Sequence, residues 1–238
     1  MKMKNIELKK EYCEKIKEQY ERYVKISERY NADGELLKKH ITNNSHTSSE
    51  AYFKATLINS CYSTRMGADR IYAAAQKIKD KKETIGKIID EGPEKHLNFL
   101  TKFLLKEKDT KQYLPYSFFT KYFAIHQMYV GKGKQVNCPI YDSFVEKVIK
   151  HSDIYEEDDF KKYREENDCN RNLRNYKNLY WTIKYFADKL TEGNFTDLDH
   201  ILWLLGKTIF KKERGLNHFD NMDQVIGKIE EDIESEKK

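Results

Sequence analysis

Apolar residues recur through this chain at spacings of three and four, and no long stretch alternates apolar with polar at every second position. Helical side chains return to one face about every 3.6 residues and strand side chains every second one, so the pattern predicts helices and no extended sheet. Residues 5–30 show it first, with Ile6, Leu8, Tyr12, Ile16, Tyr20, Tyr23, Val24 and Ile26 separated by charges. Further helices are predicted from Ser49 to about Tyr62, from Ala68 to about Lys79, from near Glu94 through Leu104, and from Leu114-Pro115 to about Met128. Three more cover 143–151, 173–190 and the segment opened by Thr196-Asp-Leu-Asp199, which reads as a helix cap. The Asn-, Ser-, Thr- and Gly-rich stretch 31–50 predicts a loop, the Lys77–Lys87 run a solvated face, and the residues after Glu230 a frayed tail. The expectation is an all-α protein.

Composition enters where a core must be built. The chain holds 17 Tyr and 12 Phe, so aromatic rings must supply much of the buried area. With 44 Lys and Arg against 39 Asp and Glu, the net charge of +5 permits nucleic acid as a partner without demanding it. Cys13, Cys61, Cys138 and Cys169 form no CxxC and no zinc-like spacing, which predicts free thiols, no metal and no cofactor. The N-terminal residues lack an apolar signal core, and the longest apolar runs, Ile71–Ala75 and Ile201–Leu205, are far too short to cross a bilayer. A soluble, cytoplasmic protein that does not meet the membrane is expected.

Two residues stand out for chemistry. Lys121 lies on a predicted helix, and Asp142 opens the next one after a turn containing Pro139. A lysine amine beside a carboxylate is a nucleophile with an electrostatic partner. The plainer alternatives are a solvated lysine and an aspartate that caps its helix, with Ser143 and Glu146 as a capping box. His126, on the Lys121 helix, has no second ligand at helical spacing and reads as a buried histidine. Tyr62 and Trp203 are candidates for stacking on a base or for core packing. Arg65, Lys132 and Lys134 are candidate phosphate contacts or surface charges.

The segments around these residues resemble the helix–hairpin–helix DNA glycosylase superfamily. Thr120-Lys121 followed by Pro139-Ile-Tyr-Asp142 is similar to that superfamily's lysine helix and Pro-Val-Asp turn. The likeness is greater to its divergent 8-oxoguanine DNA glycosylase (OGG)-like branch, which carries SFATKYxSFH and PIYDSYVxK forms. Asn59-Ser-Cys-Tyr-Ser-Thr-Arg65 resembles an NxxYSTR segment of that branch, and Asp197 to Lys207 an EIDxYLWxLGK segment. The four segments keep their order over residues 55–210. One departure is the hairpin: Leu114-Pro-Tyr-Ser-Phe118 has no glycine where the family has Leu-Pro-Gly-Val-Gly, and the Gly131-Lys-Gly-Lys134 loop is the substitute for its phosphate contact.

The resemblance implies two helical subdomains with a cleft between them, holding Lys121 and Asp142. The domain reading is an N-terminal extension over 1–54, a glycosylase-like domain over 55–230 and a charged tail over 231–238. The implied activity is excision of a damaged or modified base from DNA, with AP-lyase cleavage following from a lysine Schiff base. Attack requires the neutral amine, which the flanking Phe118, Phe119, Tyr122 and Phe123 would favour by excluding water. The alternative is a glycosylase-fold protein without chemistry that binds nucleic acid or a protein partner, for example in bacterial defence or regulation.

Overall fold

The computed structural model describes residues 3–62, 66–104, 116–131, 136–211 and 214–235. Among these residues twelve α-helices follow in order: α1 Lys10–Ile26, α2 Glu28–His40, α3 Ser48–Cys61, α4 Ala68–Asp80, α5 Lys82–Glu91, α6 Leu97–Leu104, α7 Tyr116–Val130, α8 Ser143–His151, α9 Asp158–Glu166, α10 Tyr176–Leu190, α11 Phe195–Ile209 and α12 Met222–Ser235. Among the described residues there is no strand; the single isolated bridge pairs Ile6 with Ser152. The all-α expectation holds. No helix among the described residues is long and apolar enough to cross a membrane.

Three local expectations are corrected, and one helix is added. The expected loop after residue 31 is helical as far as His40, because Leu37 is buried and a basic last turn of Lys38, Lys39 and His40 suits the helix C-terminus. Tertiary burial there outweighs the weak helix propensity of Asn-Ala-Asp-Gly. The Lys77–Lys87 run is a solvated face as expected, with Lys79, Lys81, Lys82 and Lys87 exposed, but beyond Asp80 it also forms helix α5, whose Ile85, Ile88 and Ile89 bury the opposite stripe. The cap of α11 is Asn194, not Thr196: its side chain accepts from the Asp197 N–H at 3.0 Å. The expected frayed tail is helix α12 up to Ser235, held by buried Ile229 and Ile233.

The chain forms two compact units and changes unit within α2 and within α10. The first comprises Met1–Asn31, Asp142–Leu173 and Trp181–Lys238; the second Ala32–Tyr141 and Arg174–Tyr180. In the first unit α11 is the central helix, touching α1, α8 and α12. Its Leu198, Ile201, Leu202, Leu205 and Ile209 meet a core that includes Ile16, Val148, Val225 and Ile229. Gly206 is where α11 and α8 come closest: a Cβ there would lie 2.6 Å from the Cβ and 2.8 Å from the backbone oxygen of Phe144. The extended N-terminus is laced in by Ile6, whose N–H donates to His151 O at 2.8 Å and whose carbonyl accepts from Asp153 N at 3.0 Å.

The second unit is built on α7, against which α3 and α5 pack, with α4 joining α3 and α5. Ten of the fifteen α7 residues are buried, including Phe118, Phe119, Tyr122 and Phe123. A helix apolar nearly all round must be a core helix. The aromatic-core expectation is realised here: Phe103 meets Phe119 and Phe123 edge-on at 5.2 and 6.1 Å between ring centroids.

Candidate functional site

Helix α7 leaves one narrow stripe uncovered. Ser117, Lys121 and Met128 fall within about 40° of one another on a helix, and all three are outside the core. The rings flanking Lys121 point into the core rather than around its amine. What the amine does meet is Tyr62, at the end of α3, with Nζ 5.7 Å from the ring centroid. That distance is within the range of a cation–π contact. Asn59, one turn before Tyr62, binds the backbone of Met66: its Oδ1 accepts from Met66 N at 2.9 Å and its Nδ2 donates to Met66 O at 3.3 Å.

Thr120 links the lysine helix to the turn that precedes Asp142. Its hydroxyl donates to Ser117 O at 3.0 Å and accepts from the Tyr141 N–H at 3.0 Å. The residue before Lys121 therefore holds the residue before Asp142. Gln127 secures the other end of the turn: its Oε1 accepts from Asn137 N at 2.8 Å and Cys138 N at 3.0 Å, and its Nε2 donates to Asn137 Oδ1 at 2.8 Å. Both anchors are buried, where an unmatched peptide N–H is costly, so the turn has little freedom. Tyr141 is further held by Tyr116, edge-on at 5.1 Å, and by Arg174 Nε, which donates to its hydroxyl at 3.2 Å.

Asp142 belongs to the first unit and caps α8, with Oδ1 accepting from the Phe144 N–H at 2.8 Å. The Ser143–Glu146 capping box does not form, because the cap is one residue earlier; Glu146 instead pairs with Lys150 at 2.5 Å. Trp203 is also in the first unit, half-buried near Tyr20 and Tyr23. Lys207 lies over it at 5.1 Å and donates to Tyr23 Oη at 3.2 Å. Tyr62 and Lys121 are thus together in the second unit, whereas Asp142 and Trp203 are residues of the first. Arg65, Lys132, Lys134 and the Leu114-Pro115 start of the hairpin lie outside the described residues.

Behind α7 is a buried polar cluster that the sequence reading did not single out, His126 excepted. His46 Nδ1 is 2.9 Å from Tyr122 Oη, and its Nε2 is 3.0 Å from Asn44 Oδ1. Asn44 spends its amide N–H on Gly86 O, so its Oδ1 faces a His46 Nε2–H, and the Tyr122 hydroxyl donates to Nδ1. His126 Nδ1–H donates to Tyr122 O at 2.8 Å, while its Nε2 has no hydrogen-bond partner among the described residues. Burial pushes His46 down to about 4 and His126 well below the ordinary histidine value, so both are neutral. Lys54, almost fully buried, donates to Asn43 O and Ser45 O at 2.7 Å each and to Asn43 Oδ1 at 2.9 Å, which holds the loop that delivers His46. Burial lowers its pKa as well.

Charge divides with the units. The second contains 20 Lys and Arg against 11 Asp and Glu, the first 24 against 28, giving +9 and −4. Among the described residues no group of three or more His, Cys, Asp and Glu gathers in a way that could hold a metal.

No protein-family profile matches the chain, and no solved structure matches it. It is similar to an uncharacterised protein of Haemophilus influenzae, 33% identical over 99 residues, which are 42% of this chain and 40% of that protein. The match therefore spans less than half of either, and its name carries no activity.

Proposed function

We propose that the chain is a DNA glycosylase-like enzyme of helix–hairpin–helix type, acting on a damaged or modified base, with Lys121 as nucleophile and Asp142 as its carboxylate partner. The observation that supports this most is the Thr120–Tyr141 hydrogen bond, which ties together the residues preceding Lys121 and Asp142. Preorganisation of a lysine helix and a carboxylate turn is what a displacement at a sugar carbon needs. The uncovered position of Lys121 and the positive charge of its unit support a polyanionic substrate.

In this reading a base is extruded, and the neutral Lys121 amine forms a bond to C1′ as the bond from C1′ to the base breaks. The base leaves with the bonding pair and is protonated. The Asp142 carboxylate offsets the positive charge that develops on the sugar, and loss of the amine proton with ring opening gives the Schiff base. β-Elimination of the 3′ phosphate completes the lyase step.

A binding protein without chemistry is the second reading, and one observation favours it: the Asp142 carboxylate is already engaged in capping α8. Borohydride trapping separates the two. Wild type and Lys121→Ala are incubated with duplexes and single strands carrying 8-oxoguanine, uracil, abasic sites and modified cytosines. A covalent adduct that needs Lys121 establishes the enzyme, and Asp142→Asn should then slow adduct formation. Adducts of equal yield from Lys121→Ala would remove the nucleophile assignment, and no adduct from folded wild type favours the binding protein.

A further inference from the structure

Large apolar side chains left exposed are not spread over the molecule. The five that are most exposed among the described residues, Leu36, Tyr52, Phe53, Tyr72 and Met128, are all in the second unit, and four of them lie on α2, α3 and α4. Phe53 is 48% and Tyr72 58% exposed, the highest of the set. These rings form two pairs that bridge neighbouring helices and adjoin on α3. His40 of α2 meets Phe53 edge-on at 5.5 Å, Tyr52 is the next residue on α3, and Tyr52 meets Tyr72 of α4 edge-on at 6.3 Å.

Cations stand at both ends of the row. Leu36, Lys39 and His40 are i, i+3 and i+4 neighbours, so exposed Lys39 shares the α2 face that reaches Phe53. On α4, Lys79 is seven residues after Tyr72, two turns along the same stripe, and it is exposed as well. Ser48, Ser49 and Thr56 share the outer side of α3, while exposed Asp69, three residues before Tyr72 on α4, and exposed Glu35, four before Lys39 on α2, bring carboxylates to the edges of the row. A row of rings, lysines at its ends and a unit of net charge +9 together match a polyanion that carries flat apolar groups at regular intervals.

The geometry points to the α2–α3–α4 face as a docking surface for single-stranded nucleic acid. Bases stack on Phe53, Tyr52 and Tyr72, and the backbone phosphates meet Lys39 and Lys79. A duplex keeps its bases stacked on one another and offers these rings nothing, so the surface selects unpaired strands. This deepens the glycosylase reading by naming the form in which the strand is held. It rests on that reading only for nucleic acid as partner, and not on the chemistry of Lys121.

The test is fluorescence anisotropy with a labelled oligothymidylate of roughly 12 nucleotides, within the site sizes such platforms cover, and with a duplex of the same length. All variants are at exposed positions, and circular dichroism checks their folding. Phe53→Ala combined with Tyr72→Ala should weaken binding of the single strand at least tenfold and leave duplex binding unchanged. Lys39→Gln combined with Lys79→Gln should lower the slope of log affinity against log salt by about 1.4, from about 0.7 per phosphate contact on a single strand. Binding and salt slope unaltered by these changes overturn the proposal, even if Lys121 forms an adduct; so does an equal loss on duplex. Should sedimentation show a dimer that Phe53→Ala and Tyr72→Ala dissolve while strand binding survives, the face belongs to a second copy. Loss of strand binding in the double variant with no Lys121 adduct leaves the surface standing and removes the enzyme.

Discussion

Helices α7 and α11 are both fifteen residues long and nearly equally buried, yet they are held in place by different means. In the first unit, α11 is set by shape: aliphatic side chains fill the space around it, and Gly206 lets α8 approach to contact. In the second, α7 is set by directed bonds from Thr120, Tyr122 and Gln127 to backbone groups and one imidazole outside the helix. Packing tolerates many arrangements of similar volume, whereas a buried donor accepts few positions for its partner. The helix held by directed bonds is the one that carries Lys121.

Substitutions can break this contrast, and the largest effect belongs to the close approach. Gly206→Ala forces a methyl against the Phe144 backbone and should destabilise the first unit by about 3 kcal/mol, more than a helix gains from alanine. Both tryptophans, Trp181 and Trp203, belong to the first unit, so their emission during urea unfolding reads it directly. An unchanged midpoint would mean that α8 and α11 separate at no cost.

Acid should act on the other unit. An unfolded histidine titrates near about 6.5, whereas His46 is held down to about 4, so protons favour the unfolded chain. The stability that neutral His46 contributes is complete above about pH 6.5, falls as the pH drops to about 4 and then levels off, a loss of roughly 3 kcal/mol at most. His126 adds to it in the same direction. Burial lowers His200 of the first unit to about 4 as well, so the contrast between the units rests on His126, which the second unit carries in addition to His46. Ellipticity should therefore fall at a higher pH than tryptophan emission changes, and His46→Gln should bring the two curves closer. Coincident curves in the wild type would sink the argument.

Smaller effects refine the comparison within the second unit. Gln127→Met keeps the volume and strands the N–H groups of Asn137 and Cys138, which should cost about 2 kcal/mol. Thr120→Val leaves only the Tyr141 N–H unmatched, for about 1 kcal/mol, while Thr120→Ser should restore it. If Thr120→Val also slows adduct formation by Lys121 beyond its effect on stability, the hydroxyl positions the turn for chemistry; if it does not, its role is confined to folding.

What could be read in advance follows the range of the interaction. Helix α7 and the Asp142 cap of α8 were legible because each depends on neighbours a few residues away. The stripe Ile85, Ile88, Ile89 was equally local but was obscured by the lysines beside it. Helix α2 was hidden because the Asn-Ala-Asp-Gly stretch within it is a poor helix former until Leu37 is buried. The role of Thr120 depends on Tyr141, 21 positions on, and that of His46 on Tyr122, 76 positions on. Lys54 reads as a surface charge in any sequence, and only the folded loop carbonyls of Asn43 and Ser45 account for its burial.

The division of the chain also sets an order of manufacture. A ribosome finishes 32–141 before it has begun 181–238, so the main body of the second unit is available to fold while its host is two short pieces and a missing third. Helix α1, with its buried Ile16 and Tyr23, has to wait for α11 and α12, the last partners to emerge. For that interval α1 carries an unmatched apolar stripe, which a holding chaperone would cover.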